Sequence, residues 1–137
     1  MREFKFRAWD ENNKIMHNNF QFIKSGNEGN DWIIFISDKQ KLDADEHQFK
    51  NPYFQQQFKI MQYTGFKDIT GTEIYEGDII KTKYLIVYIH WNNVCGKWYK
   101  NYISSDYSGI IGDCELNDNI SKFKIIGNRF ENPELMV

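Results

Sequence analysis

The stretch from Met61 to Lys81 constrains this chain more than any other. It reads as two strand-like runs, Phe58 to Tyr63 and Thr72 to Tyr75, around a loop whose Asp68-Ile69-Thr70-Gly71 fits a type I turn. Asp suits the first position because its carboxylate accepts a backbone N–H, and Gly suits the fourth. Glu76-Gly77-Asp78 then makes a second tight reversal before Ile79 and Ile80 enter a new strand. Three strands and two turns in so short a span are the mark of a small barrel or sandwich.

The rest of the chain is also strand-like. Glu3 to Trp9 alternates, with Phe4, Phe6 and Ala8 on one face and Glu3, Lys5, Arg7 and Trp9 on the other; Asp10 to Asn13 is turn chemistry and Ile15-Met16 begins the return. Phe20 to Ile23 and the wholly apolar Trp32 to Ile36 are further strands, the second covered on both faces. Asp38 to Lys50 has no β-branched residue, places Asp43, Asp45 and Glu46 where a helix dipole favours acid, and stops at Asn51-Pro52, so a short helix is expected there. Tyr84, Ile86, Tyr88 and His90 alternate with Leu85, Val87, Ile89 and Trp91; Asn92 to Gly96 closes a hairpin and Lys97 to Tyr102 returns. Lys122 to Ile126 is a last strand, and Pro133-Glu134 opens a final helical turn. The pattern predicts a mainly β fold with at most short helices, in two parts: a strand-rich N-terminal lobe over 1–57 and a barrel-forming region over 58–137.

Three groups of residues resemble the YopX family of bacteriophage and prophage proteins. The first is Met61-Gln62-Tyr63-Thr64-Gly65 with Lys67-Asp68, Gly71 and Glu73 to Ile79. The second is Lys5-Phe6-Arg7-Ala8-Trp9-Asp10, and the third is Ile126-Gly127-Asn128 with Glu131-Asn132-Pro133-Glu134-Leu135. Asn18 to Gln57 and Ile89 to Glu115 carry no matching residues. The resemblance implies an SH3-like β-barrel in the C-terminal part with an N-terminal β elaboration, and a place in the cytoplasm of an infected or lysogenic bacterium.

Composition narrows the function classes. A net charge of −2 is not the basic excess usual in phosphate binders, and is too small for an acidic mimic of DNA. Cys95 and Cys114 lie far apart and read as reduced thiols, and no stretch has the length or apolarity of a signal peptide or membrane helix. His17, His47 and His90 have no partners at metal-ligand spacing, and His17 and His47 read as surface residues. The acidic pairs Glu76/Asp78 and Asp113/Glu115 fall short of the converging carboxylates of a nuclease. No catalytic residue, metal site or cofactor is expected, and a metal-dependent nuclease is the remotest alternative.

One feature is left: a basic and aromatic hairpin with Trp91, Lys97, Trp98, Tyr99, Lys100 and Tyr102, flanked by Lys81, Lys83, Lys122, Lys124 and Arg129. Rings stack on bases and lysines follow phosphates in barrels that bind single strands. Surplus aromatics and open strand edges are equally used to bury subunit contacts. Because Trp98 and Tyr99 point to opposite faces, half of these rings belong to the core. The reading is a non-enzymatic protein that self-assembles into a homo-oligomer or binds a host or phage protein; the alternative is weak binding of single-stranded nucleic acid.

Overall fold

The computed structural model describes residues 3–18, 20–24, 32–36, 58–104 and 114–136, with the backbone alone at 20–24, 32–36 and 104. The predicted helix at Asp38 to Lys50 lies outside these residues, as do His47 and Asp113. Among the described residues the secondary structure is eleven strands and two 3₁₀ helices. The fold is mainly β, as the alternation requires. The chain divides into two compact units, Phe6–Met61 and Met1–Lys5 with Gln62–Val137. The sequence-based division at 57/58 leaves the N-terminus with the first lobe, whereas Met1–Lys5 groups with the second.

In the N-terminal unit, β1 (Phe6–Asp10) and β2 (Ile15–His17) form the expected antiparallel hairpin, with Ala8 opposite His17 and Asp10 opposite Ile15. Asp10 is fully buried and organises the turn: its carboxylate accepts from the Asn12 and Asn13 N–H at 3.0 and 3.1 Å and from Asn13 Nδ2 at 2.7 Å. A buried carboxylate is tolerable only when its lone pairs are satisfied in this way. Ala8 and Trp9, which the alternation places on opposite faces, are both buried. His17 corrects the surface reading: it is buried, with its ring edge-on to Phe58 at 6.3 Å. Polar neighbours in sequence misled here because the hairpin register sets His17 opposite the fully buried Ala8. β3 (Phe20–Lys24) and β4 (Trp32–Ile36) pair antiparallel, Phe20 against Ile36 through Lys24 against Trp32.

β5 (Phe58–Lys67) is longer than the expected Phe58 to Tyr63. It runs on from the N-terminal unit and pairs with β6 (Glu73–Tyr75), the register slipping between Tyr63 and Lys67 where Gly65 takes φ +93°. That bulge lets the strand continue through what reads in sequence as loop. β7 (Asp78–Lys81), β8 (Ile86–Asn92), β9 (Lys97–Ser104), β10 (Cys114–Glu115) and β11 (Lys124–Asn128) form a curled five-stranded sheet of the small-barrel kind, in the order β10-β9-β8-β7-β11. The 3₁₀ helices η1 (Asp118–Lys122) and η2 (Pro133–Met136) flank β11, and Asn117 caps η1 by accepting the Asn119 N–H at 3.0 Å.

The core of this unit is Ile74, Ile80, Val87, Ile89, Trp98, Leu116 and Ile120, all 7% exposed or less. Ile79 and Ile80 are both fully buried, so β7 is covered on both faces. Each such side chain contributes about 1.5–3 kcal/mol through burial.

Polar residues hold the turns. Asp68 is buried, and its carboxylate accepts the Thr70 N–H (2.8 Å), the Thr70 hydroxyl (2.7 Å), the Thr72 N–H (3.0 Å) and the Ile125 N–H (3.1 Å). Burial by itself would raise this carboxyl's pKa, but the hydrogen bonds from Thr70, Ile125 and Thr72 prevail and hold it below its ordinary value. Gly71 closes the turn with its N–H on the Asp68 carbonyl at 3.0 Å and φ +84°. Gly77, at φ +83°, donates to the Ile89 carbonyl and accepts from the Arg129 N–H, while Asp78 Oδ2 accepts the Tyr75 N–H at 2.8 Å. At the C-terminal end the Asn128 side chain accepts the Phe130 and Glu131 N–H at 3.0 and 2.9 Å, and Gly127 lies against Asn132.

Two outcomes follow for stability. Because the folded-state pKa of Asp68 lies below its ordinary 3.8, its contribution is present above that pH and is lost as pH falls through the folded value. Asp68→Asn should therefore cost about 2 kcal/mol at neutral pH. The variant should also show a shallower acid dependence than the parent between about pH 5 and pH 2 in urea titrations. A Cβ on Gly127 would sit 2.5 Å from Asn132 Oδ1. Gly127→Ala should cost about 1–3 kcal/mol, as overpacking does. Asn132→Ala in the same chain should relieve part of that loss, seen as a non-additive double-mutant cycle.

Candidate functional site

The hairpin of β8 and β9 is built as the alternation predicts, but its register separates the candidate surface residues. Val87, Ile89 and Trp91 stand opposite Tyr102, Lys100 and Trp98 on the core side, while Tyr88, His90 and Asn92 stand opposite Asn101, Tyr99 and Lys97 on the other. Trp98 is buried, edge-on to the half-buried Trp91 at 5.0 Å between centroids and 70° between planes. Tyr102 is half-buried, with its hydroxyl 3.3 Å from Cys114 Sγ; that hydrogen bond and burial push the phenol pKa up. Tyr99 lies on the opposite face in a row of rings, 6.2 Å from His90, which is 5.5 Å from Tyr88. Lys97 is exposed and pairs with Glu115 at 3.2 Å, an exposed contact worth little. The six residues therefore do not make one surface.

The structural turn residues Asp68, Gly71, Gly77 and Asp78 are placed as described above, each engaged in backbone geometry. Glu76, half-buried, has its carboxyl pKa raised by burial, which the Gln62 N–H, Arg129 and His90 only partly offset. Asp78 is turned to the Tyr75 N–H. Among the described residues no three His, Cys, Asp or Glu side chains converge as a metal set, and no helix is long and apolar enough to cross a membrane. Cys95 is exposed in the β8–β9 turn.

What the fold does bring together are the flanking lysines. Two adjoining depressions, of about 330 and 390 Å³, share Thr82, Lys122 and Phe123. The first has Leu85, Val87 and Tyr102 in its wall with Lys100 and Asn119 at its edge; the second has Ile69, Ile126, Lys81, Lys83 and Lys124. The β7–β8 connection that forms one side is rigid, since Thr82 N–H and Oγ1 both donate to the Leu85 carbonyl (2.8 and 3.0 Å) and Leu85 N–H returns to Thr82 Oγ1 (3.1 Å). The other side is η1, anchored by buried Ile120, and the start of β11, where Lys124 stands opposite Lys81. Ile69 and Tyr84 are about two-thirds exposed, at 64% and 65%. Lys83 Nζ lies 4.9 Å from the Tyr84 ring centroid.

The ion pairs among the described residues join Lys5 to Glu3 and Glu73, and Lys97 to Glu115; none involves Lys81, Lys83, Lys100, Lys122 or Lys124. Arg129 does not join the group, its guanidinium lying over Phe130 at 5.3 Å. The apolar lining (Leu85, Val87 and Phe123) was the part that sequence reasoning missed. Its signal was weak, because in sequence these residues look like any other core positions.

The division of the hairpin has a direct check. Trp98→Ala should cost about 3–5 kcal/mol in urea denaturation, as for a buried ring. Tyr99→Ala should cost about 1 kcal/mol.

The comparisons agree with this architecture. The crystal structure of protein EF1440 from Enterococcus faecalis is similar to this chain over the whole of both, with 28% identity and a TM-score of 0.54. No curated protein matches the chain. The model of the family described as YopX protein matches residues 5–137, including the segments Asn18 to Gln57 and Ile89 to Glu115 in which no motif was legible. With an opening, a turn-rich centre and an Asn128–Asn132 closure that all perform defined structural tasks, and a match from Lys5 to the last residue, the chain belongs to the YopX family.

Proposed function

We propose that this YopX-family chain is a non-catalytic interaction module that holds another protein, and that its contact surface is the pair of depressions meeting at Phe123 rather than the β8–β9 hairpin as a whole. The observation that carries this reading is an apolar lining set in a polar rim on a rigid frame. Leu85, Val87 and Phe123 lie within, exposed Ile69 and Ile126 lie around, lysines and Thr82 form the border, and exposed Tyr84 stands in the chain between the lining residues Lys83 and Leu85. Protein interfaces have this anatomy, with a desolvated apolar centre and a charged, solvated edge. Scattered exposed apolar residues need no explanation, but several gathered at one concavity do.

Single-stranded nucleic acid is the second reading, favoured by the five lysines alone. Base stacking needs free ring faces. Here Tyr102 is half-buried and tied to Cys114, and Lys83 lies over Tyr84. The aliphatic lining suits side chains better than bases.

A photo-crosslinking amino acid in place of Tyr84, with the same group at Val94 on the hairpin tip as control, tests the assignment in the cells that make the protein. A discrete adduct from position 84 that protease removes and position 94 does not form is the expected outcome. An adduct removed by nuclease, or none at all, would sink the reading.

A further inference from the structure

We infer that the occupant of this groove is an acidic segment of a partner protein that carries aliphatic or aromatic anchors between its carboxylates, an inference resting on the interaction reading above. The charge distribution points to it. The chain as a whole is slightly acidic, with 19 Asp and Glu against 17 Lys and Arg. Yet Lys81, Lys83, Lys100, Lys122 and Lys124 gather from three strands, one loop and η1 around two adjoining depressions, and none forms an ion pair among the described residues. Like charges held together with no ion-paired carboxylate among the described residues raise the local potential and favour an anionic visitor.

The visitor's apolar component follows from the lining. Leu85 and Phe123, both partly buried, present apolar surface beside the lysines over the buried Val87, where a Leu or Phe side chain would lose water while flanking carboxylates meet the ammonium groups. A phosphodiester strand would satisfy the lysines and leave this surface without a partner. Lysine ammoniums are point charges with no preference for the geometry of phosphate over carboxylate, so the lining makes the distinction. The frame is pre-organised by the Thr82–Leu85 hydrogen bonds and the capped η1, which lowers the ordering cost of binding.

Fluorescence anisotropy on the full chain tests this with a peptide of about twelve residues in which pairs of Glu alternate with Leu and Phe. The comparison probes are the same peptide with Gln for Glu and an oligo-dT of equal charge. The acidic peptide should bind, weaken about tenfold between low and moderate salt as its charges are screened, and exceed the Gln peptide by about tenfold or more. Lys100→Glu with Lys122→Glu should abolish that preference, while Lys97→Glu on the other side of the hairpin should leave it unchanged, both variants being checked as folded by near-UV circular dichroism.

Tighter binding of oligo-dT would assign the groove to nucleic acid and overturn the inference. So would a sedimenting homodimer dissociated by the same charge reversals, which would make a second copy the occupant. If position 84 still cross-links to a protein while no acidic peptide binds, the inference fails and the interaction reading stands; if neither occurs, both fail.

Discussion

The Asp68 carboxylate is the contact on which the C-terminal unit depends. It closes its own turn through Thr70 and Thr72, and it reaches across to the Ile125 N–H on β11 at 3.1 Å. Ile69 N–H donates to the Phe123 carbonyl at 3.0 Å beside it. These bonds satisfy backbone groups along the outer side of β11, an edge strand that would otherwise expose them for pairing with another chain. The bulge between Ile125 and Gly127 breaks the flat edge further. One buried carboxylate therefore shapes a turn, fixes where the last strand lies and blunts a sheet edge. Its burial is offset only because four donors converge on it.

The same arrangement defines the groove. With Phe123 fixed by the Ile69 and Ile120 bonds on one side and Leu85 held by Thr82 on the other, the core opens between η1 and the β7–β8 connection. Lysines collect at this mouth because the inward positions of β7, β8 and β9 are taken by Ile80, Val87, Ile89 and Trp98, so charged side chains from their ends must leave there. Lys100 shows the mechanism most plainly: it sits on the core face of β9 between Trp98 and Tyr102, half-buried, and reaches solvent through the groove.

The Gly77 junction ties this arrangement to the chain's end. Its N–H and carbonyl bridge β8 and Arg129, and a Cβ there would press on the Arg129 side chain at 3.2 Å. Asn128 then folds the chain back onto itself, with Asn132 N–H on its carbonyl at 2.9 Å. The stretches that resemble the family most densely are those where backbone groups need a particular side chain as partner or a particular absence of one. The segments between them carry out strand formation, which many sequences can do.

The turns and the strand faces were determined by the sequence itself. Asp68, Gly71, Gly77 and Asn92 have short-range jobs, and the alternation of Ile86 to Trp91 sorts its residues into two faces without knowledge of any neighbour. Two-residue periodicity and turn chemistry are local properties, so they can be read locally. The extension of β5 through Gly65, the burial of His17 and the division of the basic hairpin into two faces were partly or wholly hidden, because a bulge or a cross-strand register is set by the partner strand. The groove was the least legible. Lys81, Lys83, Lys100, Lys122 and Lys124 lie on three separate stretches of sequence, and only the closure of β7, β8, β9 and β11 into one curled sheet brings their charges to a common mouth.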